Sequence, residues 1–169
     1  MIMAEIILTQ GKTAIVDEAD FEWLSQWKWY FWKGRNGNGY AIRKDNLGIV
    51  DGIRKWDIFR MHRVIMSAPS NMQVDHINVN PLDNRRENLR LCTHRENTYN
   101  KKKSRGSSKY KGVSWKRDNN KWQAAIRCGL ETHYLGLFSS QESAAAAYNE
   151  AAIKYFGEFA GLNEVRNAA

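Results

Sequence analysis

The chain has 169 residues, with 26 Lys and Arg against 18 Asp and Glu, and therefore a formal net charge of +8. Its 43% hydrophobic and 26% charged residues are typical of globular domains and argue against wholesale disorder. No apolar run reaches the ~18 residues of a membrane helix, so we expect one domain or two small ones with a polyanionic partner. The cysteines, Cys92 and Cys128, are too few for a disulfide framework and fit a reducing cytoplasm.

Residues 1–60 predict a β-rich region. Short apolar runs on either side of Gln10-Gly11 predict two strands, and Asp17 can cap a short helix that runs through Leu24. The Asn/Gly-rich segment 35–39 is typical of a hairpin loop between two further strands. We expect the five tryptophans of this region to form its core: Trp23, Trp27, Trp29, Trp32 and Trp56.

The segment 61–100 predicts a short helix and then the order strand, polar loop, strand, helix. A strand pattern at 74–77 leads into a loop that is dense in turn-forming residues, and a second strand follows at 88–92. Thr93 is a good helix cap, and Glu96 completes a capping box for a helix at the end of the segment.

Residues 101–108 are polar and basic, and we interpret them as a linker to a last domain at 109–165. That domain predicts three antiparallel strands packed on one alanine-rich helix. Ser139 and Glu142 form a capping box at the start of the helix, and Gly157 ends it. The whole chain is therefore predicted to be an α+β protein.

Four polar residues in segment 61–100 carry a recognisable pattern. Asp75 and His76 are adjacent, Asn88 follows 12 residues after His76, and Asn97 follows 9 residues after Asn88. With the stretch 80–90 between them, this pattern resembles the HNH endonuclease family, whose ββα-metal site combines a carboxylate-His pair, a middle Asn and a final His or Asn. An Asp-His pair alone would be better explained as a turn residue beside a surface histidine.

The resemblance implies a role for each residue. Asp75 and Asn97 would hold one divalent ion, His76 would be the general base, and Asn88 would brace the loop that orients the imidazole. An imidazole titrates near neutral pH and can take a proton from water. A carboxylate with an amide oxygen is a sparse oxygen site that suits Mg²⁺ or Mn²⁺. Because strand side chains alternate between faces, the strand must end or twist at the Asp-His pair.

Two other histidines lie in this segment. His94 follows the helix cap and is either an accessory residue near the metal or a surface histidine. His62 is expected to pack beneath the site rather than to touch substrate. No zinc is expected, because the paired cysteines of zinc-binding HNH proteins are absent from this sequence.

Basic residues are concentrated between Asn100 and Arg127, where they are interleaved with aromatic residues, a pattern that favours nucleic-acid binding. The motif Tyr110-Lys111-Gly112-Val113 and the later Tyr134-Leu135-Gly136-Leu137-Phe138 resemble the DNA-binding domain of plant Apetala/ethylene-response factors. That resemblance implies a sheet in the major groove. Candidate DNA contacts in this domain are Lys111, Ser114, Lys116, Arg127, Thr132, Tyr134 and Tyr148. The linker adds Lys101, Lys102, Lys103 and Arg105.

Some positions depart from the plant pattern. Ser114 and Thr132 replace common arginines and Ala125 replaces a glutamate, so the plant target sequence cannot be carried over. Trp122 is expected to pack in the core.

The sequence therefore predicts a homing-type HNH nicking endonuclease of a phage or mobile element. It would act on double-stranded DNA as a monomer, in the cytoplasm of a bacterial host cell. A DNA-binding regulator with a vestigial nuclease, or an RNA-binding protein, would explain the charge but not the complete set of four polar residues.

Overall fold

The computed structural model describes residues 2–34, 39–101 and 106–165 and divides the chain into two compact units, Met1–Thr93 and His94–Ala169. The α+β class and the C-terminal three-stranded antiparallel sheet on one helix are as predicted. In the described ranges, no helix is long and apolar enough to cross a membrane. The four sequence segments remain a prediction.

The first unit is built from three small antiparallel sheets. β1 pairs with β2, β4 lies between β3 and β5, and β6 pairs with β7. In chain order the elements are β1 (Met3–Ile7), β2 (Thr13–Asp17), α1 (Glu18–Leu24), β3 (Tyr30–Lys33), β4 (Gly39–Val50), β5 (Ile53–Arg60), α2 (Met61–Ile65), β6 (Gln73–His76) and β7 (Leu89–Cys92).

One hydrophobic core joins the N-terminal strands to the β6–β7 hairpin. It contains Val16 and Leu24 from the N-terminal region together with Val74 of β6 and Leu89 of β7. The side chains of the N-terminal strands therefore bury those of the β6–β7 hairpin.

The β4–β5 hairpin is longer than the sequence pattern indicated. β3 pairs with β4 only from Gly39 to Ile42, and beyond Ile42 β4 pairs with β5. The hairpin turn at Asp51-Gly52 has φ values of 55° and 74°, the geometry of a type I′ turn. Asp-Gly is a usual sequence signal for this turn, so Asp51-Gly52 could have predicted the hairpin.

The expectation that all five tryptophans form the core was wrong. Trp29 is 2% exposed and its Nε1 donates a hydrogen bond to the Leu24 carbonyl over 2.9 Å. Trp27, Trp32 and Trp56, however, are exposed by 38–47%. Trp56 lies on the part of the hairpin where two strands pair alone, and a two-stranded ribbon has no second layer to bury its side chains.

The second unit contains α3 (His94–Tyr99), β8 (Val113–Lys116), β9 (Lys121–Cys128), β10 (Glu131–Phe138) and α4 (Gln141–Phe156). The strand order is β10-β9-β8, and both pairings are antiparallel. Alanines of α4 are buried against the sheet, which lets the helix backbone approach closely. Trp122 packs against this core, as expected.

Two predicted helix caps differ in the structure. Ser140, not Ser139, caps α4, and its Oγ accepts from the Ser143 backbone N–H over 3.0 Å. Asp17 precedes α1 but its side chain makes no cap bond. Instead, Asp17 Oδ2 accepts from the Arg86 backbone N–H over 2.8 Å. A contact distant in sequence has replaced the local one.

We expect Asp20→Asn to lower the free energy of unfolding by about 1–3 kcal/mol, because Asp20 is buried and accepts two charge-assisted hydrogen bonds from the Arg86 guanidinium, at 2.7 and 2.8 Å. Urea unfolding of the full chain measures the change. Glu22→Gln, an exposed charge loss on the same helix, is the matched control and should stay within ~0.5 kcal/mol of the parent. Equal stability of the two variants would show that the Arg86 contact contributes nothing.

Candidate active site and nucleic-acid interface

The predicted catalytic pair lies at the end of a strand. β6 ends at His76, and the Ile77 backbone N–H donates to the Asn88 carbonyl over 2.9 Å before the chain enters the polar loop. Asp75 is opposite Arg90 of β7 in the strand register, and His76 is opposite Leu89. The strand thus stops at the pair, as the alternation of side chains requires.

Asn88 closes the loop between the two strands. Its Oδ1 accepts from the Asn78 backbone N–H over 2.9 Å. Its Nδ2 donates to the Asp83 carbonyl over 2.8 Å and to Asn78 Oδ1 over 3.0 Å. From the end of the loop, the Asn88 side chain therefore contacts the start of the loop at Asn78 and its middle at Asp83. The bracing role predicted for Asn88 needs contacts of this kind.

The rest of the loop is held by backbone hydrogen bonds to β2 and by an ion pair between Asp83 and Arg85. The Asn84 N–H donates to the Ile15 carbonyl over 2.7 Å, and Ile15 N–H donates to the Leu82 carbonyl over 2.8 Å. Asp83 is buried and accepts from the Arg85 guanidinium, which lowers the pKa of the Asp83 carboxyl below its ordinary value. An ionised Asp83 thus remains available to hold the loop at neutral pH.

His76 is 7% exposed, and burial lowers the pKa of its imidazole below the ordinary value. Its Nε2 lies 3.4 Å from Asn84 Oδ1. The imidazole is therefore neutral at physiological pH, the protonation state of a general base. Asn84 was not a predicted site residue. The sequence shows that it lies in the loop between Asp83 and Arg85, but local patterns do not indicate its contact with His76.

His62 packs beneath His76, as expected. The two rings meet edge to face with their centroids 5.0 Å apart, and the Tyr40 ring lies 5.6 Å from His62. His62 is buried, and its Nδ1 has no hydrogen-bond partner within the described residues. Burial, with the nearby His76 and arginines, lowers its pKa to about 3.

Asp75 forms a buried ion pair that the sequence analysis missed. Arg90 Nε and Nη2 both contact Asp75 Oδ2, at 3.0 and 2.6 Å. The strand register places Asp75 opposite Arg90, so the ion pair can be predicted once the pairing of β6 with β7 is known. These contacts with Arg90 fix the side chain of the predicted metal ligand.

The ligands available here suit a hard cation with few protein ligands. In residues 2–34, 39–101 and 106–165 the structure contains no cluster of three or more His, Cys, Asp or Glu side chains that could hold a metal. A carboxylate such as Asp75 with an amide oxygen is compatible with Mg²⁺ or Mn²⁺, which keep water ligands. Asn97 and His94 both lie on α3, where Asn97 is half-buried and His94 is exposed at the first helical position.

A comparison with known proteins agrees with this geometry. A family model of HNH endonucleases matches residues 60–99. An uncharacterized HNH endonuclease of Acanthamoeba polyphaga mimivirus is 34% identical over 162 residues, which cover 92% of this chain and 77% of the viral protein. The chain belongs to the HNH endonuclease family. It is thus an endonuclease by family, and its four-residue pattern lies within the matched region.

The second unit of this HNH endonuclease presents an exposed sheet face opposite α4. Val113, Ala124 and Ile126 are buried toward the helix, so the alternating residues point away from it. The predicted contacts on this outer face are Ser114, Lys116, Arg127, Thr132 and Tyr134, all of which are exposed. Their strand partners on the same face are Gln123, Lys121 and Ala125. The face carries no carboxylate.

Six other predicted contacts lie away from this group or outside the described residues. Lys111 is half-buried before β8, where its Nζ donates to the Tyr99 carbonyl, and burial lowers its pKa. Tyr148 lies on α4 and is 3% exposed. Lys101 is exposed after α3. The predicted contacts Lys102, Lys103 and Arg105 lie outside the described residues.

The second unit is also similar to plant transcription factors. An AP2-like ethylene-responsive transcription factor of Arabidopsis thaliana is 50% identical over 66 residues, or 38% of this chain and 11% of the plant protein. A rice protein of the same description is 50% identical over a stretch of the same length, 10% of its own chain. The HNH endonuclease therefore combines its nuclease motif with a domain similar to a small part of these factors.

His62 predicts a pH dependence of stability. Its folded pKa of about 3 lies below the ordinary histidine value of 6.5, so the unfolded chain binds more protons between these pH values and stability is lost as pH falls below 6.5. From pH 7 to pH 5 His62 should contribute a loss of about 2 kcal/mol. We expect urea unfolding of His62→Gln to show a correspondingly smaller loss.

The control for this experiment is His133→Gln, which removes a half-buried histidine of β10. It shows what the loss of an imidazole outside the His62–His76 pair does to the same measurement. If His62→Gln and the parent lose the same free energy between pH 7 and pH 5, His62 is not held neutral in the folded chain.

Proposed function

We propose that the protein is a metal-dependent HNH endonuclease of the homing type that nicks double-stranded DNA. The observation that carries the proposal is the buried, neutral His76 beside Asp75 at the end of β6, above a loop closed by Asn88. A viral HNH endonuclease at 34% identity supports the association with mobile DNA. We place the reaction in the cytoplasm of a bacterial host cell, because the free cysteines Cys92 and Cys128 fit a reducing compartment.

His76 is proposed to take a proton from the water that attacks phosphorus, while the bond to the leaving oxygen breaks. Asp75 and Asn97 would hold one divalent ion, Mg²⁺ or Mn²⁺, which when bound offsets charge on the leaving oxygen. Asn88 acts indirectly, because its three hydrogen bonds fix the loop that begins after His76. Arg90 positions the Asp75 carboxylate. His94 is an accessory candidate for phosphate.

Sequence recognition is proposed for the outer sheet face of the second unit. A β-sheet can enter the major groove, and base contacts rather than phosphate contacts carry sequence information. The absence of carboxylates on this face favours a polyanion. Lys101, with Lys102, Lys103 and Arg105 of the predicted linker, would bind phosphates without sequence preference.

The β4–β5 hairpin offers a further DNA-binding surface. Arg54, Trp56 and Ile58 alternate onto one face of β5, where Lys44 and Asn46 are their partners on β4. Asp45 and Asp57 are opposite each other in the strand register, and their carboxylates lie on the other face of the hairpin. A two-stranded ribbon fits a major groove, so the acid-free face is the one that we assign to DNA.

A DNA-binding regulator with an inactive nuclease is the second candidate. It is favoured by one observation: Arg90 already forms an ion pair with the Asp75 carboxylate. The same assay separates the two, because a regulator binds DNA without cutting it.

Asp75→Asn and His76→Ala should each reduce plasmid nicking by at least about 100-fold, because removal of a general base or metal ligand raises the barrier to hydrolysis. DNA affinity should stay within a few-fold, because the phosphate contacts remain. EDTA should abolish nicking by the parent, and added Mg²⁺ or Mn²⁺ should restore it. His133→Ala is the matched histidine control and should keep parental activity. Parental turnover by His76→Ala would overturn the general-base assignment.

Supercoiled plasmid should become open circle before linear DNA appears, at a rate first order in protein. The chain offers one Asp-His pair and one asparagine at each further position of the motif, so one molecule has one nuclease centre. Double-strand cutting needs two centres or the reorientation of one, and a symmetric dimer would need a self-complementary interface. Linear product from the start, at a rate second order in protein, would show that the enzyme works as a dimer.

A further inference from the structure

A cavity of about 440 Å³ lies within the second unit, where α3 meets β9 and α4. Its lining includes three cations, Arg95, Lys111 and Arg127, and no carboxylate. Arg95 belongs to α3 and Arg127 to β9, so separate elements of the unit bring positive charge to one place.

Gly129 brings the two guanidinium groups together. It has a φ of +65°, and a Cβ placed there would lie 1.9 Å from Arg95 Nη2, so the guanidinium packs directly on the glycine backbone. Arg127 Nε donates to the carbonyl of the same glycine over 3.2 Å. Lys111 Nζ donates to the carbonyl of Tyr99. Main-chain contacts therefore hold the cations, and they join Arg95 and Tyr99 of α3 to residues on or beside the sheet.

The three cations lack compensation from acidic side chains. Among the described residues, none of them forms an ion pair with a carboxylate, although other basic residues of the unit do. Like charges around one cavity repel each other, and burial by itself lowers the pKa of the Lys111 ammonium. An oxyanion in the cavity would relieve the repulsion, and guanidinium groups match the oxygens of a phosphate.

The cavity is built on a rigid base. The Tyr99 ring stacks on Phe156 of α4 with the centroids 3.8 Å apart and the planes within 10°. The Gly161 N–H donates to the Tyr99 carbonyl over 3.2 Å. These contacts fasten α3 to the unit, so Arg95 is held beside the sheet rather than on an independent helix.

We propose that this cavity binds one phosphate of the DNA backbone and that Arg95 is a DNA-binding residue. The proposal rests on the proposed function, since it takes duplex DNA as the partner. Arg127 lies both on the outer sheet face and in the cavity lining, so a strand on that face passes the cavity. Because α3 also carries Asn97, a phosphate on Arg95 restrains the helix that presents the proposed metal ligand.

Arg95→Ala in the full chain should weaken binding to any DNA duplex by about tenfold and should reduce the salt dependence of log K by about one unit of slope. Arg117→Ala is the matched control: it removes an exposed arginine of the same unit that does not line the cavity, and it should stay within about twofold of the parent. Equal affinities and slopes for the two variants would overturn the proposal. The nicking rate of Arg95→Ala at saturating DNA shows separately whether the variant still cleaves once DNA is bound.

Nuclear magnetic resonance of the ¹⁵N-labelled full chain distinguishes the source of the phosphate. A duplex should shift the Arg95 side-chain N–H and Gly129 amide signals, while chloride at the same ionic strength should not. Binding of the duplex without these shifts would overturn the proposal. Shifts with inorganic phosphate but not with the duplex would identify a small-anion site and equally overturn it. If the parent binds no duplex, both this proposal and the proposed function fail.

Discussion

The first unit depends on the closure of one loop by the Asn88 amide. The loop leaves β6 at His76 and returns before β7, and Asn88, at the end of the loop, bonds to Asn78 near its start and to Asp83 in its middle. Within it, Val79 has a φ of 61°, a left-handed conformation that β-branched residues rarely adopt. Surrounding bonds must hold such a residue in place. The closed loop in turn sets Asn84 against His76.

The loop also explains why this small nuclease motif comes with an N-terminal region. A two-stranded hairpin is marginally stable by itself. Here the hairpin shares a core with β1 and β2, and its loop is bonded to Ile15 of β2 and to the acids that begin α1. The N-terminal strands are therefore structural partners of the β6–β7 hairpin.

The sequence predicted those features that local patterns determine. The strand, loop, strand and helix of the nuclease motif were found because alternation, turn residues and the spacing of polar residues are all short-range signals. The roles of Arg90 and Asn84 could not be read this way, because they depend on the register of β6 against β7 and on the path of the closed loop. Trp56 was misassigned for a similar reason: a tryptophan is buried only if another layer covers its strand.

The placement of α3 is the step that neither the family pattern nor the charge pattern indicated. The family match runs through residue 99, yet the contacts of α3 divide the chain at Thr93 and assign the helix to the second unit. The stacking of Tyr99 on Phe156 accounts for this, because a helix of six residues has little stability of its own and takes its position from what it packs against. Asn97 and Arg95 are neighbours on that helix. A residue proposed for metal binding is thus positioned by the packing of α3 within the unit proposed for DNA recognition.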